Sequence, residues 1–266
     1  MADQSTVIES AALYERRGGI AIITLNRPRA LNAVNQALST AVGSFLEQAD
    51  SDPQVRVVVI TGAGRAFCAG ADLKALGGGE DLSARGHREW GFAGFVEHWI
   101  SKPTIAAVNG FALGGGTELV LASDLAVVDE TASLGLPEVK RGLFAAAGGV
   151  IRLAQQIPRK VALEMALTGE PITAAQGKEL GLVNRVAPAG TALEVALELA
   201  EQIAANAPLA VRESKSVIHQ TASGADWEPD VWAANAKSMK IVFTSADAAE
   251  GPAAFAQKRA PVWQGR

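Results

Sequence analysis

Apolar, mostly β-branched residues run almost unbroken over Ile20–Leu25 and again over residues 55–60. Runs this short, without polar alternation, predict strands covered on both faces, as parallel strands are. Asn26-Arg27-Pro28 ends the first run and Thr61-Gly62 the second. Residues 105–108 and Leu125 to Val128 predict two further short strands of this kind. Between the first two runs the period changes. Ala33, Leu38, Val42, Phe45, Leu46 and Ala49 fall at helical intervals and predict a helix over residues 32–50. Buried strands alternating with helices give an α/β class with crossover connections.

Beyond about Pro158 the texture changes. Helices are predicted over residues 161–168, 174–180, 191–206, 209–221, 227–243 and 246–258, with only residues 182–186 reading as extended. The pattern divides the chain into a core, residues 1–200, and a C-terminal all-helical region, residues 201–266. Gly77-Gly78-Gly79, followed by polar residues up to Gly86, marks a mobile loop inserted in the core. Trp90, Phe92, Phe95 and Trp99 then recur at helical spacing, with packing or the lining of a pocket open to them.

Composition narrows the class. The 266 residues are 48% hydrophobic and 20% charged, as in a soluble globular enzyme. A net charge of −4 supplies no global basic field to recruit nucleic acid. Cys68 is the single cysteine, so neither an intrachain disulfide nor a thiolate metal cluster can form. His87, His98 and His219 lack metal-ligand spacing, so a mechanism without a metal is expected. The N-terminal residues have no apolar core behind basic residues, as a signal peptide would. No stretch approaches the roughly 20 apolar residues of a membrane span. A cytoplasmic protein is the simplest expectation.

Three segments carry candidate chemistry. Phe111-Ala112-Leu113-Gly114-Gly115-Gly116-Thr117-Glu118 follows a buried strand and opens an apolar helix. Its glycines let a ligand approach backbone N–H groups at a helix start, where the dipole favours a developing oxyanion. They equally fit a tight strand-to-helix turn. Glu118 sits in the first turn of that helix. The loop Ala66 to Leu73 also follows a buried strand and exposes backbone N–H groups; Cys68 within it reads as packing, with no histidine beside it to make it a nucleophile. Leu136-Pro137-Glu138 follows a third strand. Two carboxylates sharing an apolar site push their pKa values apart, leaving one to donate and one to accept a proton. Spacing alone does not bring Glu138 to Glu118, and a solvated surface acid is the plainer reading of it.

Together the motifs resemble the crotonase (enoyl-CoA hydratase/isomerase) family. The matching segments, in order, are Asn26-Arg27-Pro28, Leu31-Asn32-Ala33, Phe67 to Leu73, Ala106 to Gly110, Leu113 to Glu118 and Leu136-Pro137-Glu138. Gly148-Gly149, Ala174-Ala175, Gly181-Leu182-Val183 and Phe255 to Arg259 extend the match over nearly the whole chain. The resemblance implies a crotonase-type spiral of repeated β-β-α units with a C-terminal helical region, assembled as trimers or dimers of trimers. It places an oxyanion hole on the N–H groups of Ala71 and Gly115, and the two catalytic glutamates of the hydratases on Glu118 and Glu138. It implies an acyl-CoA thioester as substrate, held along Ala69, Ala71, Asp72, Leu73 and Lys74. Arg29 and Lys258 would be further cations for CoA, and no cofactor is implied beyond the CoA of the substrate.

One departure stands out. Where hydratases usually carry a Pro-Gly-x-Gly-Gly-like turn, this chain has Phe144-Ala145-Ala146-Ala147-Gly148-Gly149. Reversible hydration of a trans-2-enoyl-CoA to a 3-hydroxyacyl-CoA is the leading expectation. Carnitinyl-CoA dehydration (crotonobetainyl-CoA hydration) and enoyl-CoA isomerisation are the rivals within the family. An RNA-binding relative is the rival from another class, and the acidic net charge speaks against it; the motifs show no Ser-His-Asp set for a protease of related fold.

Overall fold

The computed structural model describes residues 10–222, 224–225 and 227–266. The N-terminal segment judged for a signal sequence lies, except for Ser10, outside these residues. The strands are β1 (Ala12–Arg17), β2 (Ile20–Leu25), β3 (Val57–Gly62), β4 (Ala66–Cys68), β5 (Thr104–Val108), β6 (Phe111–Leu113), β7 (Leu125–Asp129), β8 (Ser133–Gly135), β9 (Ile172–Thr173) and β10 (Arg185–Ala187). The helices are α1 (Gln36–Ser51), α2 (Leu73–Gly77), α3 (Gly115–Ala122), α4 (Gly149–Gln156), α5 (Arg159–Thr168), α6 (Ala174–Glu179), α7 (Ala192–Ala204), α8 (Pro208–Thr221), α9 (Pro229–Phe243) and α10 (Ala246–Ala256).

Among the described residues the strands form two sheets, ordered β1-β2-β3-β5-β7-β10 and β4-β6-β8-β9. The apolar runs are the central parallel strands of the first sheet, with Ile22 opposite Val59 and Ile60 opposite Ala106. Both faces of that sheet are buried. One meets α7, where Ala192, Ala196 and Ala200 recur every four residues and let the helix close on Ile20, Val57, Val59 and Ile105. The other face, with Ile23, Val58, Ile60 and Val108, packs on Leu38, Val42 and Leu46 of α1.

The second sheet explains the repeat. After β3, β5 and β7 the chain turns within a few residues into β4, β6 and β8, and then enters a helix or 3₁₀ turn. This is the β-β-α unit of the spiral, and the six-stranded sheet, the crossing four-stranded sheet and the C-terminal helices match the fold class read from the sequence. Three-residue strands gave no periodic signal, so β4, β6 and β8 were invisible to pattern. β1, with its exposed polar residues, and α4, opened by glycines, were missed likewise.

Other expectations need correction. α1 starts at Gln36, because Asn32 adopts a left-handed φ of 56° and is buried. Its amide nitrogen lies 2.9–3.1 Å from the carbonyl oxygens of Ala63, Ala66 and Phe67, clamping the β3–β4 turn. Residues 90–99 form no α-helix; short 3₁₀ turns at Arg88–Trp90 and Phe92–Gly94 replace it, with positive φ at Gly91, Ala93 and Gly94. The extended stretch expected at residues 182–186 is β10, shifted to Arg185–Ala187. The segment after the Gly77-Gly78-Gly79 run is tied to α1, with the Glu80 carboxylate accepting from Gln36 N at 2.9 Å and Ser39 donating to the Leu82 carbonyl. α7 runs across the division at 200/201, so the all-helical texture begins in full after Ala204. Among the described residues no helix is long and apolar enough to cross a membrane.

Candidate active site

β4, β6 and β8 lie side by side and parallel, with Cys68 opposite Ala112 and Leu113 opposite Gly135. The three motif loops leave the same ends of adjacent strands, which is why segments far apart in sequence share one place. Thr117 fixes the junction: its hydroxyl donates to the Ala112 carbonyl at 2.7 Å and accepts from the Gly135 N–H at 2.9 Å. The first two loops touch. A β-carbon on Gly70, where φ is 91°, would stand 2.9 Å from the Leu113 carbonyl oxygen and 3.0 Å from Gly115 N. Only glycine admits that approach.

The same stacking brings the carboxylates together. Glu118, in the first turn of α3, is 4% exposed. Glu138 lies in the 3₁₀ turn after β8, with its Oε1 3.1 Å from where a β-carbon on Gly114 would sit. Gly114 is the residue that caps α3, so Glu138 hangs over the start of the helix that bears Glu118. Burial, with the Glu138 charge adding to it, pushes the Glu118 carboxyl up to about 7. The N–H groups of Gly149 (2.9 Å to Oε1) and Ala147 and the Arg152 charge oppose the rise. Burial also raises Glu138, whose Oε2 is buried without a hydrogen-bond partner among the described residues. Each carboxyl is thus easier to protonate than one in water, and one oxygen keeps its bonding capacity unspent.

Beside them are two N–H groups. Among the described residues no acceptor lies on the N–H of Ala71 or of Gly115. Ala71 is held by pairing with Val34: Val34 N donates to the Gly70 carbonyl at 2.8 Å and Asp72 N to the Val34 carbonyl at 2.9 Å. Ala69 N donates to the Leu31 carbonyl at 3.0 Å. The loop is thereby fixed from both sides, with Ala71 between the anchors.

The remaining candidates divide. The Asp72 carboxylate is taken up internally: it caps α2 through Lys74 N and Ala75 N and meets the Arg27 guanidinium at 2.9 Å, and the hydrogen bonds and that charge hold its pKa low against burial. Leu73 and Lys74 are exposed on α2, beside the loop. Arg29 is exposed in the 3₁₀ turn Pro28–Ala30, and it is Arg27, given no role from the sequence, that braces the loop. Lys258 is exposed just past α10, which packs on α9. Cys68 is fully buried, its thiol pushed up to about 12 by burial, in keeping with packing.

Sequence reasoning left three neighbours without a role. The turn that departs from the hydratase pattern adjoins Glu118, not Glu138 alone, through the Gly149 N–H. The edge of the Phe92 ring closes over Gly115, 2.3 Å from where a β-carbon there would lie. Arg152, one turn into α4, puts its charge near Glu118. Of the other aromatics, Trp90 is stacked between His87 (3.8 Å) and His98 (4.5 Å), Phe95 is buried, and Trp99 faces His219 edge-on at 5.4 Å. A cavity of about 900 Å³ lies beyond Arg152, lined by Val96, Trp99, Leu121, Asp124 and His219; neither glutamate lines it.

Known proteins resemble this chain in sequence and fold. The family model described as enoyl-CoA hydratase/isomerase matches residues 15–266. Enoyl-CoA hydratase EchA19 of Mycobacterium tuberculosis is 41% identical over 96% of this chain and 97% of its own. A crystal structure of enoyl-CoA hydratase from Mycobacterium tuberculosis H37Rv superposes with a TM-score of 0.92 at 48% identity, over 97% of this chain and 100% of that one. A crystal structure of carnitinyl-CoA hydratase from Mycobacterium avium, 58% identical over the same shares, has a TM-score of 0.78. With its β-β-α spiral and its match from residue 15 to the last, this chain belongs to the enoyl-CoA hydratase/isomerase family.

Proposed function

We propose that the protein is an enoyl-CoA hydratase, adding water reversibly to a trans-2-enoyl-CoA to give a 3-hydroxyacyl-CoA. The observation that carries this reading is the pairing of two carboxyls of raised pKa, Glu118 buried and Glu138 half-buried, with two unengaged N–H groups, Gly115 at the start of α3 and Ala71 in the loop that touches it. In this mechanism the thioester carbonyl oxygen accepts from Ala71 N–H and Gly115 N–H. Glu118 takes a proton from water as its oxygen bonds to the β-carbon, and the electron pair of the double bond moves onto the thioester oxygen. The enolate charge rests on the two N–H groups, strengthened by the α3 dipole. Glu138 then delivers a proton to the α-carbon as the carbonyl reforms. No cofactor enters these steps.

The CoA moiety would follow the Ala69 to Lys74 loop, its phosphates met by Lys74, Arg29 or Lys258. Asp72 then serves CoA by shaping the loop and not through its carboxylate. The C-terminal helices leave Phe243 77% and Phe255 87% exposed, apolar surface that an assembly of further copies of the chain would cover. A trimer or dimer of trimers in the cytoplasm is the form the family resemblance implies.

A second reading has its own support: the 58% identity to a carnitinyl-CoA hydratase favours a specialised acyl group. The test is to follow the conjugated enoyl-thioester absorbance with crotonyl-CoA and, in parallel, dehydration of carnitinyl-CoA by mass. Rapid loss of the crotonyl absorbance with a 3-hydroxyacyl product supports the first reading. Turnover of carnitinyl-CoA alone supports the second, and turnover of neither, with CoA esters still bound, removes both.

A further inference from the structure

Arg152 combines three features. Its guanidinium is half-buried, lying over Gly148, where a β-carbon would fall 2.2 Å from Nη1. Its Nη2 donates to the Val96 carbonyl oxygen, across from α4 to the segment that carries Phe92. Among the described residues it has no carboxylate within contact distance. A cation taken partly out of water without a contact partner costs free energy that an apolar side chain of the same length would not. The acids that feel its charge are Glu118 and the exposed Glu97.

Arg152 and Glu118 are also joined mechanically. Gly149 N–H holds Glu118 Oε1 at 2.9 Å, and Arg152 N donates to the Gly148 carbonyl at 2.8 Å in the first turn of the same helix. The guanidinium, the Gly148-Gly149 turn and the Glu118 carboxylate therefore form one connected unit, with Phe92 and Gly115 reached through the Val96 carbonyl. The charged groups facing Glu118 are Arg152 from α4 and Glu138 from the turn after β8; Glu97 faces the far side of Arg152.

We propose that Arg152 is a positioning residue that keeps Glu118 ionised as the base and fixes the turn whose N–H orients it. The proposal rests on the hydratase reading for its catalytic meaning, but its electrostatic content stands apart from turnover. A nearby cation stabilises a carboxylate, so removing it raises the pH at which Glu118 takes up a proton. The base would then be protonated over more of the neutral range, and kcat would fall while KM moved little.

The test reads the Glu118 carboxyl directly, by carbon NMR of protein labelled at glutamate, with the signal assigned by its loss in Glu118→Gln. It is run on wild type, Arg152→Gln, Arg152→Lys and Glu97→Gln, beside pH profiles of kcat. Arg152→Gln is expected to move the Glu118 midpoint up by about half a unit to one unit, with the acid limb of kcat following and activity at pH 7 down about two- to fivefold. Arg152→Lys, which keeps the charge, recovers most of the shift. Glu97→Gln, on an exposed side chain, leaves Arg152 charged and serves as the control, with the midpoint moving little. An unchanged midpoint in Arg152→Gln overturns the proposal, as does a fall in activity with an unmoved pH profile, which a merely structural arginine would give. If Arg152→Gln does not fold, Arg152→Met, which keeps the reach of the side chain and removes its charge, takes its place with the same expected rise. A wild type that turns over no enoyl-CoA while its Glu118 midpoint still responds to Arg152→Gln refutes the hydratase reading and leaves this one standing.

Discussion

Around β6 the carbonyl of Ala112 and the N–H of Gly135 meet at one threonine hydroxyl, and glycines let neighbouring loops touch. Helix α8, by contrast, meets the sheet through charge. Lys215 Nζ lies 2.8 Å from Asp124 Oδ2 and also donates to the Lys102 carbonyl, while His219 reaches Asp124 Oδ1 at 2.8 Å. Beyond α8, the helices α9 and α10 keep large apolar side chains in water, Phe243 and Phe255 among them. The difference teaches how the work is divided. The strand ends are fixed by short, local contacts that tolerate little displacement while leaving Glu138 Oε2 and the Ala71 and Gly115 N–H groups unspent, as a binding centre needs. The C-terminal helices are fastened at a few polar points and leave large apolar side chains exposed.

That contrast can be broken most sharply at the site itself. Glu118→Gln should lower the rate of enoyl-CoA hydration about 10²- to 10⁴-fold without loss of thermal stability, as should Glu138→Gln. Activity that survives Glu118→Gln would instead fit isomerisation by a single base. The second break is at the polar fastening. Lys215→Met takes one partner from the half-buried Asp124 carboxylate, which keeps Thr104 and His219, and should cost about 1–3 kcal/mol in denaturant unfolding, with the C-terminal helices exchanging amide hydrogens first. A uniform, small loss of protection would show that the node is not what holds α8.

The comparison can then be sharpened with pH. In the proposed mechanism Glu118 accepts a proton only when ionised; its carboxyl is raised to about 7, so kcat should decline as pH falls through that value. An acid limb near the ordinary carboxylate range would mean that water reaches the site and undoes the effect of burial. The smallest effect belongs to the helical region. Phe255→Ser should change the unfolding free energy of the single chain by no more than about 0.5 kcal/mol, yet lower the assembled fraction in sedimentation. An unchanged assembly would free that face from the interface.

How much of this was legible follows from the length of each signal. The strands β2, β3, β5 and β7 and the six later helices were readable because each carries enough apolar residues to show its own period. Helix α1 was legible in its body but not at its start, because the left-handed turn at Asn32 is enforced by the three carbonyls its side chain faces. The helical spacing of Trp90, Phe92, Phe95 and Trp99 misled, since positive φ at Gly91, Ala93 and Gly94 breaks any helix there. The glutamates were named from motif resemblance, whereas Arg27 and Phe92 were seen in the sequence without a role, Arg152 went unmarked, and all three gained meaning only from what they touch.

By itself, then, the sequence determined the class of fold, the family and the residue types available for proton transfer, because those follow from local periodicity and from motifs that survive as short strings. Tertiary structure alone decided that Glu118 and Glu138 share one buried place. Twenty residues of spacing do not bring two carboxyls together; the parallel stacking of β4, β6 and β8 does, by releasing three successive loops at the same edge. It decided the raised carboxyl of Glu118 as well, since desolvation and a neighbouring charge are properties of a packed site and not of a residue.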